Sequence, residues 1–117
     1  MKVIEEEMDG MKVEYRVGQS MTENHTLLDE SDPGDLWIHV KDLPSCHVRC
    51  MIHSLKLTKK QRNKVMKRGG LLCKIMSKPE YRKVQKLEMI CARMRDVEKT
   101  DTPGEVKLDV PPTVFTV

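Results

Sequence analysis

The sequence predicts an α+β fold: one mostly antiparallel β-sheet, with one main helix and one short helix packed on one side of it. Three observations lead there. Short stretches of alternating apolar and polar residues recur along the chain, separated by Gly and Pro turns. One long segment, from about Thr58 to Ser77, abandons that alternation for helical spacing. The chain has 117 residues, the usual size of one domain with one ordinary core.

The first element is a hairpin. VIEEEM and MKVEYRV flank Asp9-Gly10, a pair that suits a two-residue turn needing positive φ. In the second strand Met11, Val13, Tyr15 and Val17 point one way, and Lys12, Glu14 and Arg16 the other. Gly18 ends it. Ser20 or Thr22 is placed to cap a short helix, which Leu27 and Leu28 anchor on the sheet. Ser31-Asp32-Pro33-Gly34 is a turn cluster. Asp35 to Lys41 reads as a strand: Leu36, Ile38 and Val40 belong to the core, and Trp37, His39 and Lys41 form a row on the other face. Asp42 to Ser45 makes a tight connection with its backbone fixed at Pro44, and His47 to Ile52 continues as a neighbouring strand.

Thr58 caps the main helix. Its first half is basic and its second half, LLCKIM, is apolar. Gly69-Gly70 sits between them and costs about 2 kcal/mol relative to alanines. Either the helix breaks there, or it approaches the sheet too closely for a Cβ. Ser77 to Glu80 is a break. Gln85 to Val97 reads as one long strand. Thr102-Pro103-Gly104 is a turn, and Glu105 to Val110 and Thr113 to Val117 are two short final strands.

Composition bounds the function. Only Trp37, Tyr15, Tyr81 and Phe115 are aromatic, and nine methionines help fill the interior. No segment has the roughly 18 apolar residues of a membrane-spanning helix, and the acidic N-terminus does not resemble a signal peptide. A cytoplasmic location is expected, with nuclear targeting left open. The four cysteines, Cys46, Cys50, Cys73 and Cys91, are then expected as reduced thiols. The net charge of +3 hides an asymmetry: residues 1–35 carry three bases and ten acids, and the remainder carries eighteen bases and eight acids. Between Pro44 and Pro79 there is no acid, while Arg49, Lys56, Lys59, Lys60, Arg62, Lys64, Lys67, Arg68, Lys74 and Lys78 all occur there. Such a run is a candidate footprint for a polyanion. A helix built only for solubility usually mixes signs.

Catalytic and metal readings find little support. His39, Cys46, His47 and Cys50 cluster in sequence, but Cys-x-x-x-Cys lacks the paired spacing of a zinc site, and on a strand the two thiols stand about 13 Å apart. Cys46 and His47 face opposite sides of a strand and make no nucleophile pair. No phosphate-cradling glycine loop or GxSxG elbow is present. The expectation is a non-enzymatic protein without metal or cofactor. An aromatic beside cations, as in Trp37, Lys41 and Arg49, instead suits base stacking and phosphate contact. With one indole, the surface suits backbone and shape better than base identity.

GQSMTENHTLLDE followed by DPGDLWIHVKDLPSCHV resembles the NFACT RNA-binding domain. That domain forms the C-terminal part of proteins of ribosome-associated quality control and also occurs alone. Its pattern is a glycine after a strand, a K-E-N-D-like turn, then D-L-W-x-H-V-K-D-x-P-G-S-H-V. Gly18, Glu23, Asn24, Asp35, Leu36, Trp37, His39, Val40, Lys41, Asp42, Pro44, His47 and Val48 match it. The likeness extends more weakly over residues 11–117, where Gly69-Gly70 stands in place of a pair of alanines and RDVEKTDTPGEV follows a late strand and turn. Gln19-Ser20 replaces a more basic turn, and Ser45-Cys46 replaces Gly-Ser. Neither the lyase-like domain nor the coiled coil of full-length members is in the sequence, so the stand-alone form is the one it resembles.

The resemblance implies an RNA-binding module acting near translation, with tRNA or ribosomal RNA as partner and the ribosome as a further candidate. Trp37, His39, Lys41, His47 and Arg49 would form the contact surface. Lys59, Lys60, Arg62 and Lys67 would supply long-range attraction. Gly18, Asn24, Asp35, Asp42 and Pro44 are motif positions, and Asp35 and Asp42 are expected to hold turns. Two other classes use the same charges or edges: a DNA or general polyanion binder, and a protein-interaction adaptor.

Overall fold

A computed structural model describes residues 1–117. The chain runs through strands β1 (Lys2–Met8) and β2 (Met11–Gly18), helix α1 (Met21–Asp29), strands β3 (Leu36–Val40) and β4 (His47–Met51), and helix α2 (Lys59–Met76). A 3₁₀ helix (Pro79–Lys83) leads to β5 (Glu88–Arg93), a second 3₁₀ turn (Met94–Asp96), and strands β6 (Val97–Lys99), β7 (Val106–Leu108) and β8 (Thr113–Thr116). The main sheet has the order β1-β2-β4-β3-β5-β8 with every pair antiparallel, and β6 and β7 form a separate two-stranded sheet. The α+β class holds.

The β1–β2 turn places Asp9 at φ 50° and Gly10 at φ 80°, the left-handed pair that matches the twist of a hairpin. Ser20 caps α1 by accepting from the Glu23 amide, and Thr58 caps α2 in a reciprocal box with Gln61. The main core lies between α2 and one face of the sheet. Val13, Tyr15, Val17, Leu36, Ile38, Val40, Val48, Cys50 and Met89 face Val65, Leu72 and Cys73 there. Each such side chain contributes about 1.5–3 kcal/mol on full burial. Helix α2 continues unbroken through Gly69-Gly70. A Cβ on Gly69 would stand 2.6 Å from Ile38 Cδ1 and 2.7 Å from Cys50 Sγ, and one on Gly70 would stand 2.5 Å from the Phe115 ring. Close approach, not a break, accounts for both glycines.

Three expectations need correction. The two helices lie on opposite faces of the sheet: α1 packs Leu27 against Trp37, Ala92 and Met94 in a second, smaller core. The long strand expected from Gln85 to Val97 is confined to Glu88–Arg93, because a 3₁₀ turn over Met94–Asp96 carries the chain out of the sheet, with the Arg95 amide donating to the Pro33 carbonyl at 3.2 Å. The strand expected over Glu105 to Val110 shrinks to Val106–Leu108 and pairs with Val97–Lys99 outside the main sheet. All four cysteines are buried free thiols. Cys46 and Cys73 bring their sulfurs to 3.6 Å beside the Ser77 hydroxyl.

Candidate nucleic-acid interface

The motif strand β3 carries both faces of the site. On the face away from α2, Trp37 is 1% exposed and His47 is 2% exposed, so these two members of the expected open surface lie in the interior, while His39 and Lys41 are partly exposed. The Trp37 indole Nε1 donates to His47 Nδ1 at 3.1 Å. His39, half-buried, stacks on Trp37 with ring centroids 5.6 Å apart and planes 11° apart, and it meets His47 edge-on at 4.9 Å. His39 Nδ1 lies 2.6 Å from the Val40 carbonyl and donates to it. Burial holds both imidazoles below the ordinary histidine range, His47 to about 3.

Arg49 is also withdrawn from solvent. Its Nε donates to Asp35 Oδ2 at 2.7 Å, and both side chains are buried. Asp35 further accepts from the Ile52 and His53 amides and from His53 Nδ1 at 2.7 Å. Burial pushes the Asp35 carboxyl up, but the bonds from His53 and Arg49 outweigh it and hold it below the usual carboxylate range. Asp35 therefore ties the start of β3 to the end of β4. Asp42 sits at φ 57° in the connection between them, the left-handed region that Asp tolerates. Pro44 accepts from the Tyr81 hydroxyl through its carbonyl at 2.6 Å. Gly18 has no room for a side chain, since a Cβ there would stand 2.4 Å from Asn24 Oδ1. Lys41, just past β3, lies 3.7 Å from Glu88.

The acid-free run divides into buried, paired and free cations. Lys74 is buried and donates to the Val84 (2.5 Å) and Val117 (3.0 Å) carbonyls. Arg68 is paired with Glu6 at 2.6 Å, and Lys64 with Asp9 at 3.4 Å. Lys59, Lys60 and Lys67 stay exposed on α2. Arg62 donates to the Leu57 carbonyl at 3.1 Å and has no acidic partner. It lines a cleft of about 370 Å³ at the N-terminal end of α2, with Gly34, Ile52, His53, Lys56 and Arg93 also in its walls and no carboxylate among them. His53 and Arg93 are site residues that sequence reasoning did not single out. Arg93 comes to Arg62 only because Leu36 pairs with Arg93 across β3 and β5.

No family model matches the chain, and no curated protein matches it. In fold it is similar to the C-terminal part of the fibronectin/fibrinogen-binding protein from Streptococcus suis, with a TM-score of 0.74 and 22% identity. That likeness covers 97% of this chain and 43% of the other, so this chain spans less than half of its length. At this identity the likeness is one of fold alone.

The residues expected to act together thus occupy two surfaces. Lys59, Lys60, Arg62 and Lys67 belong to α2, and of these Arg62 lines the cationic cleft. Trp37, His39 and His47 belong to the opposite face of the sheet, and Arg49 is an internal ion pair.

Proposed function

We propose that this protein is a non-catalytic RNA-binding module, gripping the phosphate backbone of tRNA or ribosomal RNA in association with translation or ribosome quality control. The observation that carries the reading is the cleft walled by Lys56, Arg62 and Arg93, none of them paired with a carboxylate. Lys59, Lys60 and Lys67 add exposed positive charge along α2 outside the cleft, and at about 3.6 residues per turn Lys60 and Lys67 stand on a face turned away from Arg62. Binding that releases counterions gains most from cations with no acid to neutralise them. The resemblance of DLWIHVKDLPSCHV to the NFACT RNA-binding domain supplies RNA and translation. The charge pattern by itself suits any polyanion.

The test is fluorescence anisotropy of labelled tRNA with the full chain across a salt series. A falling log affinity with log salt, steeper than a slope of about −2, is expected. Lys56→Glu combined with Arg93→Glu should reduce affinity at least tenfold and flatten the slope. Absent binding, or affinity indifferent to salt, would overturn the proposal. Duplex DNA of equal charge competing as well as tRNA would replace it with a general polyanion binder.

A further inference from the structure

The second surface holds a different kind of site. Two adjoining hollows, of about 470 Å³ and about 480 Å³, share His39, Pro44, His47, Gly104 and Glu105. Their floor is the Trp37–His39–His47 layer, and their outer wall is the loop between β6 and β7. No lysine or arginine lines either hollow, and the charges present are Asp42 and Glu105. A phosphate there would meet two carboxylates and no cation. The cleft fits an uncharged, polar, flat group instead.

Hydrogen-bond roles inside it are fixed. His47 Nδ1 accepts from the indole, so the neutral ring carries its proton on Nε2 and offers a donor. His39 Nδ1 must donate to the Val40 carbonyl, so its Nε2 offers a lone pair. Neither Nε2 has a partner within the protein. Asn24 lines the same cleft, with its Oδ1 turned inward against Gly18. Among the histidines and Glu105, His39 Nε2 and the carboxylate accept while His47 Nε2 alone donates, so a complementary group brings more than one N–H.

We propose that the cleft between Asn24, His39, His47 and Glu105 takes up one unstacked nucleobase bearing an exocyclic amino group. The amino group donates to His39 Nε2 and Glu105, and a ring nitrogen or carbonyl accepts from His47 Nε2–H. Uracil brings one N–H between two carbonyls and leaves the acceptors facing lone pairs. This inference rests on the RNA-binding reading for its biological source of bases, and the base is recognised without its phosphate.

The experiment is a titration of the full chain with free nucleosides, read on the indole N–H of Trp37 by NMR. That signal is unambiguous because the chain has one tryptophan. Adenosine or cytidine should give a saturable shift. Purine riboside, which differs from adenosine only by the missing amino group, and uridine should bind at least tenfold more weakly. The exposed Glu105→Gln variant should lose most of that discrimination, and Asn24→Ala should weaken every nucleoside. No saturable shift, or equal responses to adenosine and purine riboside, would overturn the inference. Oligo(rA) and oligo(rU) of equal length separate the two proposals. Equal binding of both with silent nucleosides removes the base site and leaves the RNA-binding reading. Selective nucleoside binding with no affinity for either oligomer upholds the cleft and removes that reading.

Discussion

Replacing His47 by asparagine removes a titrating ring while keeping an oxygen where Nδ1 accepts from the Trp37 indole. In the folded protein burial, followed by the charge of His39, holds His47 to about 3, against 6.5 for a free imidazole. The unfolded chain therefore takes up the proton first as pH falls. The contribution of a neutral His47 is fully present above pH 6.5 and is lost progressively between pH 6.5 and pH 3, at about 1.4 kcal/mol per pH unit. Between pH 7 and pH 5 the native protein should lose about 2 kcal/mol from this group alone. Asp35 does not share in that window, since its depressed carboxyl is lost at lower pH. Urea unfolding of both proteins at pH 7 and pH 5 measures the difference directly. The asparagine variant starts less stable but should fall by about 2 kcal/mol less between the two pH values. Equal losses in both proteins would refute a buried, neutral His47 and, with it, the fixed donor that the base site requires.

Gly69→Ala should destabilise the fold by about 1–2 kcal/mol, because the clash of its Cβ with Ile38 and Cys50 outweighs the roughly 1 kcal/mol gained in helix propensity. A raised urea midpoint would show that α2 can lift from the sheet. Asp35→Asn leaves Arg49 buried without a counter-charge and should cost about 3–5 kcal/mol, measured by the same unfolding curves. A loss below 1 kcal/mol would mean that Arg49 reaches water.

Much of this was legible in the sequence for a simple physical reason. Alternation reports which residues share a face, so Leu36, Ile38 and Val40 were placed correctly in the core. It does not report whether the second face is covered. An aromatic beside cations suggests an open surface at Trp37 and His47, yet Leu27 of α1 and the β6–β7 hairpin close over that side. Local signals mark the Thr58 cap and the Asp9-Gly10 turn, which need only adjacent residues, and narrow the α1 cap to Ser20 or Thr22. The cationic cleft depends on His53, Arg62 and Arg93 meeting across strand pairings, and no spacing within one segment encodes that. Charge counting likewise overstated the free cations, since it could not see Arg49, Arg68 or Lys74 find partners inside the fold.

The pairing of β3 with β5 also sets the order in which the chain can become safe during its own synthesis. Leu36 and its partner Arg93 are more than fifty positions apart, so β3 exists for some time with one edge unpaired. At about 5–20 residues per second, that interval lasts roughly 3–11 s. During it, an apolar strand containing Leu36, Trp37, Ile38 and Val40 presents open backbone groups to other chains. The hazard ends when β5 arrives, and the same event brings Arg93 to the cationic cleft and Ile90 to the wall of the base cleft. Nascent chains that stop short of β5 therefore lack both surfaces and carry a sticky edge in their place.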